Sequence, residues 1–195
     1  LLTNAALEAQ IPPEVVKAVA TKENGGWKQF DEKGQPVISK DNGIGIMQIT
    51  NQLAYDQERL KYDIIYNIQA GVEILKSMYQ RNDLPKIQGA GLETIEGWYF
   101  PVMAYNGIKP ANSPLYKSNG SKNTEAYQEK VFSFIEKDSY LNNTTLGKFP
   151  FNLADFEYDT NSSQNIVFKK KEYTLTDQLH TSAYQFQAGN KVLIT

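Results

Sequence analysis

Pro12-Pro13-Glu14-Val15-Val16-Lys17-Ala18-Val19-Ala20-Thr21-Lys22-Glu23-Asn24-Gly25-Gly26-Trp27 opens with two prolines and closes with two glycines. Proline is accepted in the first turn of a helix, and glycine commonly ends one. Between them Val15, Val16, Val19 and Ala20 recur at three- and four-residue spacing, an apolar stripe of helical period. The next position on that stripe is Glu23. A carboxylate on an apolar face, next to Trp27, is costly to hold as a charge. Such a group responds by raising its pKa, which a general acid working near neutral pH requires. The other reading ends the helix at Thr21 and leaves Glu23 to cap a turn.

Outward from this segment the pattern is helical from Leu1 to about Lys137, with two loop-rich interruptions. A second helix is expected from Asp63, its N-cap, through Ile64, Ile65, Ile68, Val72, Leu75 and Tyr79. A third begins between Glu96 and Pro101 and stops at Asn106-Gly107. A fourth starts after Thr124 and buries Tyr127, Val131, Phe134 and Ile135. The stretch from Lys109 to Asn123, rich in Pro, Ser, Asn and Gly, is a surface loop. After Asn142 the texture changes. Ile166–Phe168, Tyr173–Leu175, Tyr184–Ala188 and Val192–Ile194 have strand character. The expected fold class is therefore mainly α, with a helical domain over 1–141 and a β-rich extension over 142–195. Those strands either pack on the helical body or form a fragment of a β-domain.

The net charge of −2 argues against a nucleic-acid partner, which needs a basic face. Lys169-Lys170-Lys171 is a solvated strand edge. The absence of Cys removes thiol nucleophiles and Cys-ligated zinc, and a single His180 cannot supply a multi-histidine metal site. No metal and no cofactor are expected. Nor is any apolar run close to the ~20 residues that span a membrane. The 12 Tyr, 9 Phe and 2 Trp provide for a core and suit sugar contacts as well.

Asn42-Gly43-Ile44-Gly45-Ile46-Met47-Gln48-Ile49 is the second informative segment. Two glycines one residue apart let the backbone approach a ligand or another segment closely. Gln48 stands where a dinucleotide loop has its third glycine. Taken alone, the segment could equally be a β-turn with Met47 in the core.

Together these segments resemble the superfamily of soluble lytic transglycosylases and goose-type lysozymes. Glu23 to Trp27 resembles the end of the catalytic helix, and Asn42 to Gln48 resembles the glycine-rich G-x-G-L-M-Q turn. Asp63 to Leu75, with Asn67, is similar to the helix packed behind the site. Ala104-Tyr105-Asn106-Gly107 resembles the A-Y-N-x-G element, one residue short, and Tyr127 fits a tyrosine on a late helix. The resemblance runs from Ile11 to Ile135. It implies a lysozyme-like fold with a groove for peptidoglycan glycan strands, outside the cell or in the cell wall. It also implies Glu23 as the catalytic residue and Tyr105 as the residue orienting it. Ser39, Gly45, Ile46, Met47, Gln48, Asn106 and Tyr127 are the implied substrate-binding residues.

Goose-type relatives carry carboxylates where this chain has Ser39 and Thr50. An inverting hydrolase needs a second carboxylate to activate water. With both places neutral, the resemblance points to a transglycosylase that forms a 1,6-anhydro product. Asp31 and Asp41 lie in the same lengthened loop and could serve a lysozyme-type hydrolase instead. A non-catalytic wall-binding module on the same fold is the remaining alternative.

Overall fold

A computed structural model describes residues 1–137 and 145–186. The boundary expected at 141, the end of the Tyr184–Ala188 strand and the Val192–Ile194 strand lie outside the described residues. Among those described there are six α-helices: α1 (Leu2–Glu8), α2 (Pro13–Glu23), α3 (Gln57–Tyr62), α4 (Ile64–Tyr79), α5 (Tyr99–Asn106) and α6 (Tyr127–Lys137). The fold class is mainly α, as expected. Four two-residue strands accompany the helices: β1 (Lys86–Ile87), β2 (Phe156–Glu157), β3 (Val167–Phe168) and β4 (Glu172–Tyr173). β1 pairs with β4 in parallel, and β2 pairs with β3 antiparallel.

The helix signals act where the sequence puts them. Pro12 caps α2 and Pro13 is its first residue, and the helix ends at Glu23 rather than Thr21. Val15, Val16, Val19 and Ala20 are completely buried. Asp63 caps α4 by accepting from the Tyr66 N–H at 3.0 Å. A 3₁₀ turn over Ile95–Trp98 leads into α5, so the third helix starts late in its expected window. α1 and α3 were not expected from the pattern.

The described part of the tail packs on the helical body. Phe149 and Phe151 meet Tyr99 with ring centroids 4.5 Å and 5.3 Å apart, and Tyr173 stacks on Phe100 at 5.8 Å. Phe156 and Phe168 belong to the same hydrophobic cluster as Val15 and Val19. Two buried carboxylates fasten the seam. Glu14, on the first turn of α2, accepts from Ser182 Oγ at 2.7 Å and from the Ala183 N–H at 2.8 Å. Glu96 accepts from the Gly147 and His180 N–H groups, each at 2.8 Å, and lies 2.7 Å from His180 Nδ1.

Replacing Glu96 by Ala leaves those donors buried without an acceptor. Removing the acceptor shared by three donors costs about 3 kcal/mol. We expect Glu96→Ala to lower the denaturant midpoint accordingly. A midpoint equal to that of the unsubstituted protein would show that the Glu96 bonds contribute nothing to holding the tail.

Candidate active site

α2 delivers Glu23 as its last residue. Asn24 then leaves the helix in extended conformation, its N–H still bonded to the Ala20 carbonyl. The chain folds back at once: the Trp27 N–H reaches Asn24 O at 2.8 Å. Asn24 Nδ2 donates to Lys28 O at 2.6 Å. Trp27 takes a left-handed backbone (φ 51°), a conformation that costs a bulky residue about 1–3 kcal/mol.

Desolvation raises the Glu23 carboxyl from 4.5 to about 7, the dominant effect. The Lys22 charge and the Tyr127 hydroxyl act against it, and the negative charge of Asp41 adds to it. The buried Tyr127 hydroxyl makes no complete hydrogen bond, yet Glu23 is its interacting neighbour. The phenols of Tyr105 and Tyr127 are pushed well above their usual range by burial and then by the Glu23 charge. Glu23, Tyr105 and Tyr127 therefore form one electrostatic unit. Lys22 Nζ lies 5.5 Å from the Tyr127 ring centre.

The glycine turn forms the adjoining floor. Gly45 has φ 73°, and a Cβ on it would stand 2.4 Å from both Asn67 Nδ2 and Gln29 Oε1. Two buried amides occupy that space. Asn67 accepts from the Met47 N–H at 3.0 Å and donates to Ile44 O and Leu60 O. Gln29 accepts from the Ile46 N–H at 3.0 Å and donates to Leu60 O and Lys61 O, each at 2.8 Å. Every donor of both side chains is thus used. Gly71 completes the fit, since a Cβ there would lie 2.7 Å from Met47 Cγ.

The remaining expected residues take varied places. The Tyr105 hydroxyl donates to Met47 O at 2.8 Å, so its proton is committed to the floor and only its lone pairs remain for Glu23. Gln48, with a left-handed backbone, donates its amide to Gly45 O at 2.8 Å. Ile46 and Met47 are buried. Asn106 is exposed and accepts from Asn112 Nδ2 at 2.9 Å. Ser39 accepts from the Gly43 N–H and donates to Asp41. Thr50 bonds to Gln48 O at 3.2 Å.

Two positioning residues escaped the sequence reading. Gln29 sits in a polar segment where nothing signals a buried amide. Asn112, inside the expected surface loop, donates to Asn106 Oδ1 and Gly107 O and accepts from the Tyr127 N–H at 3.0 Å. It ties the end of α5, with Tyr105, to the start of α6, with Tyr127. Among the described residues no group of three or more His, Asp or Glu is placed to hold a metal ion.

Because its pKa is raised on folding, Glu23 binds its proton more tightly in the native state. Its ionisation therefore weakens the fold as pH rises from about 4.5 to about 7, by at most about 3 kcal/mol, and has no further effect above that. Glu23→Gln is expected to raise the melting temperature at pH 8 while leaving it nearly unchanged at pH 4. An equal effect at both pH values would show that the carboxyl is not desolvated.

The family profile described as the transglycosylase SLT domain matches residues 1–128. No curated protein and no solved structure gives a match. The matched region contains Glu23, the glycine turn, Asn67, Tyr105 and Tyr127, and it spans well over half of the chain. The chain belongs to the transglycosylase SLT domain family.

Proposed function

We propose that the protein is a peptidoglycan lytic transglycosylase that cleaves the β-1,4 bond between N-acetylmuramic acid and N-acetylglucosamine. The observation that carries this reading is the desolvated Glu23 carboxyl, raised to about 7 beside Tyr105, Tyr127 and the glycine turn. Glu23 performs both proton transfers. Protonated, it gives its proton to the glycosidic oxygen as the bond to the anomeric carbon breaks. Ionised, it takes the proton of the muramic acid C6 hydroxyl, whose oxygen attacks the same carbon and closes the 1,6-anhydro ring. The acetamido group of the substrate assists at the anomeric carbon between these steps, so the protein need not supply a nucleophile. A pKa near the working pH suits a group that must be acid and base in turn. General acid/base help of this kind is typically worth ~10²–10⁴-fold. A peptidoglycan substrate goes with a place outside the cell or in the cell wall.

A second reading, hydrolysis, is favoured by one observation. The Asp41 charge acts on Glu23, and Asp41 itself stays ionised: the Ser39 hydroxyl, its own backbone N–H and the Lys109 charge all hold its carboxyl below the usual range. Asp41 is therefore the carboxylate available to position water. Asp31 is committed to its own turn, accepting from the Lys33 and Gln35 N–H groups at 2.8 Å and 2.9 Å.

Mass analysis of the sugars released from purified peptidoglycan separates the two. Transglycosylation gives chains ending in 1,6-anhydro-muramic acid, which Glu23→Gln should abolish and Asp41→Asn should leave within about twofold. Reducing ends that disappear in Asp41→Asn would establish hydrolysis instead. Because the first step needs protonated Glu23, kcat/KM should fall as pH rises through about 7.

A further inference from the structure

Four asparagines in the chain are followed by glycine: Asn24, Asn42, Asn106 and Asn119. In such a pair the backbone nitrogen of the glycine can attack the side-chain amide of the asparagine, since no Cβ stands in the way. An N–H that already donates must first give up its bond. Three of the four are committed. The Gly43 N–H donates to Ser39 Oγ at 2.9 Å, the Gly107 N–H to Met103 O at 2.8 Å and the Gly120 N–H to Tyr116 O at 2.7 Å. The Gly25 N–H has no acceptor among the described residues. Gly25 is also the only one of these four glycines that is exposed. The Asn24 side-chain carbonyl accepts from the Lys28 N–H at 3.3 Å, a donor that favours the oxyanion formed on attack. To bring the nitrogen onto the side chain, the Asn24–Gly25 peptide must turn from its ψ of 91°. One hydrogen bond opposes this, from the Trp27 N–H to Asn24 O at 2.8 Å.

We propose that Asn24 is a site of spontaneous deamidation, selected by the fold over the three other Asn-Gly pairs, and that its product acts on Glu23. The Gly25 nitrogen gives its proton to solvent and forms a bond to Asn24 Cγ. The Cγ–Nδ2 bond breaks, and Nδ2 leaves as ammonia with a proton from water. Water then opens the cyclic imide at either carbonyl, giving aspartate or isoaspartate. One water is consumed, one ammonia is released and no oxidation state changes. The new carboxylate adjoins Glu23 in the chain, and its negative charge opposes ionisation of the acid. The turn also loses a tie, because Asn24 Nδ2 no longer donates to Lys28 O.

The test ages the full chain at mildly alkaline pH, native and in denaturant, and maps its peptides by chromatography and mass spectrometry. In the native protein Asn24 should convert faster than each of Asn42, Asn106 and Asn119 by about fivefold or more, the factor that one retained hydrogen bond is worth. In denaturant the four rates should converge. Gly25→Ala should suppress conversion at Asn24 alone, and it fits the fold, since a Cβ there would meet only Thr21 O at 3.9 Å. Earlier conversion at any of the other three, or the same ranking with and without denaturant, would overturn selection by the fold. In Asn24→Asp the titration midpoint of the Glu23 carboxyl, read by NMR, should rise. An unchanged midpoint would overturn the coupling to the acid. None of these readouts requires glycan cleavage, so their failure is distinguishable from failure of the proposed reaction.

Discussion

Keeping the Glu23 carboxyl away from water is unfavourable for its ionised form, and much of the helical body is arranged so that this happens. The apolar stripe of α2 runs into the core and ends on Glu23, so the same burial that secures the helix also desolvates the acid. Two interacting groups favour the charged form, Lys22 and the Tyr127 hydroxyl, and Asp41 opposes them. Their balance leaves the carboxyl near neutrality, where either protonation state is accessible. A freely solvated glutamate at the same place would be almost wholly ionised and could not serve as the acid.

The floor depends on a different device. The turn at Gly43–Ile49 exposes backbone groups that have no regular ladder, and buried amide groups must be satisfied. Gln29 and Asn67 satisfy them together, reaching the Ile46 and Met47 N–H groups and the carbonyl groups at the end of α3. The fixed turn then presents Met47 O to Tyr105. Asn112 completes the frame by joining α5 to α6. The tail closes α5 from behind, where Phe149, Phe151 and Tyr173 cover Tyr99 and Phe100. The family profile ends at residue 128, so this support comes from sequence beyond it.

How much of this was legible depended on the physical signal each element carries. α2, α4 and α6 declare themselves through apolar periodicity and punctuation, and Glu23 was found as the next position on a stripe. α1 and α3, of seven and six residues, are shorter than the repeat needed to show a face. The strands have two residues each, set by tertiary packing rather than alternation. The glycine turn was recognisable only as a motif; its clamp was not, because Gln29 bonds to carbonyl groups 31 and 32 residues away. Tyr105 stands out in the sequence only as part of a motif, and the partner of its proton, Met47 O, is a backbone atom that no pattern reveals.

The central claim is that burial makes Glu23 an acid and a base near neutral pH. Carbon-detected NMR titration of the glutamate side-chain carboxyls reads this directly, with Glu23→Gln identifying the resonance. The account predicts a midpoint at about 7 for Glu23. A midpoint near the ordinary 4.5 would contradict it, leaving Glu23 a solvated carboxylate unable to protonate a glycosidic oxygen at neutral pH.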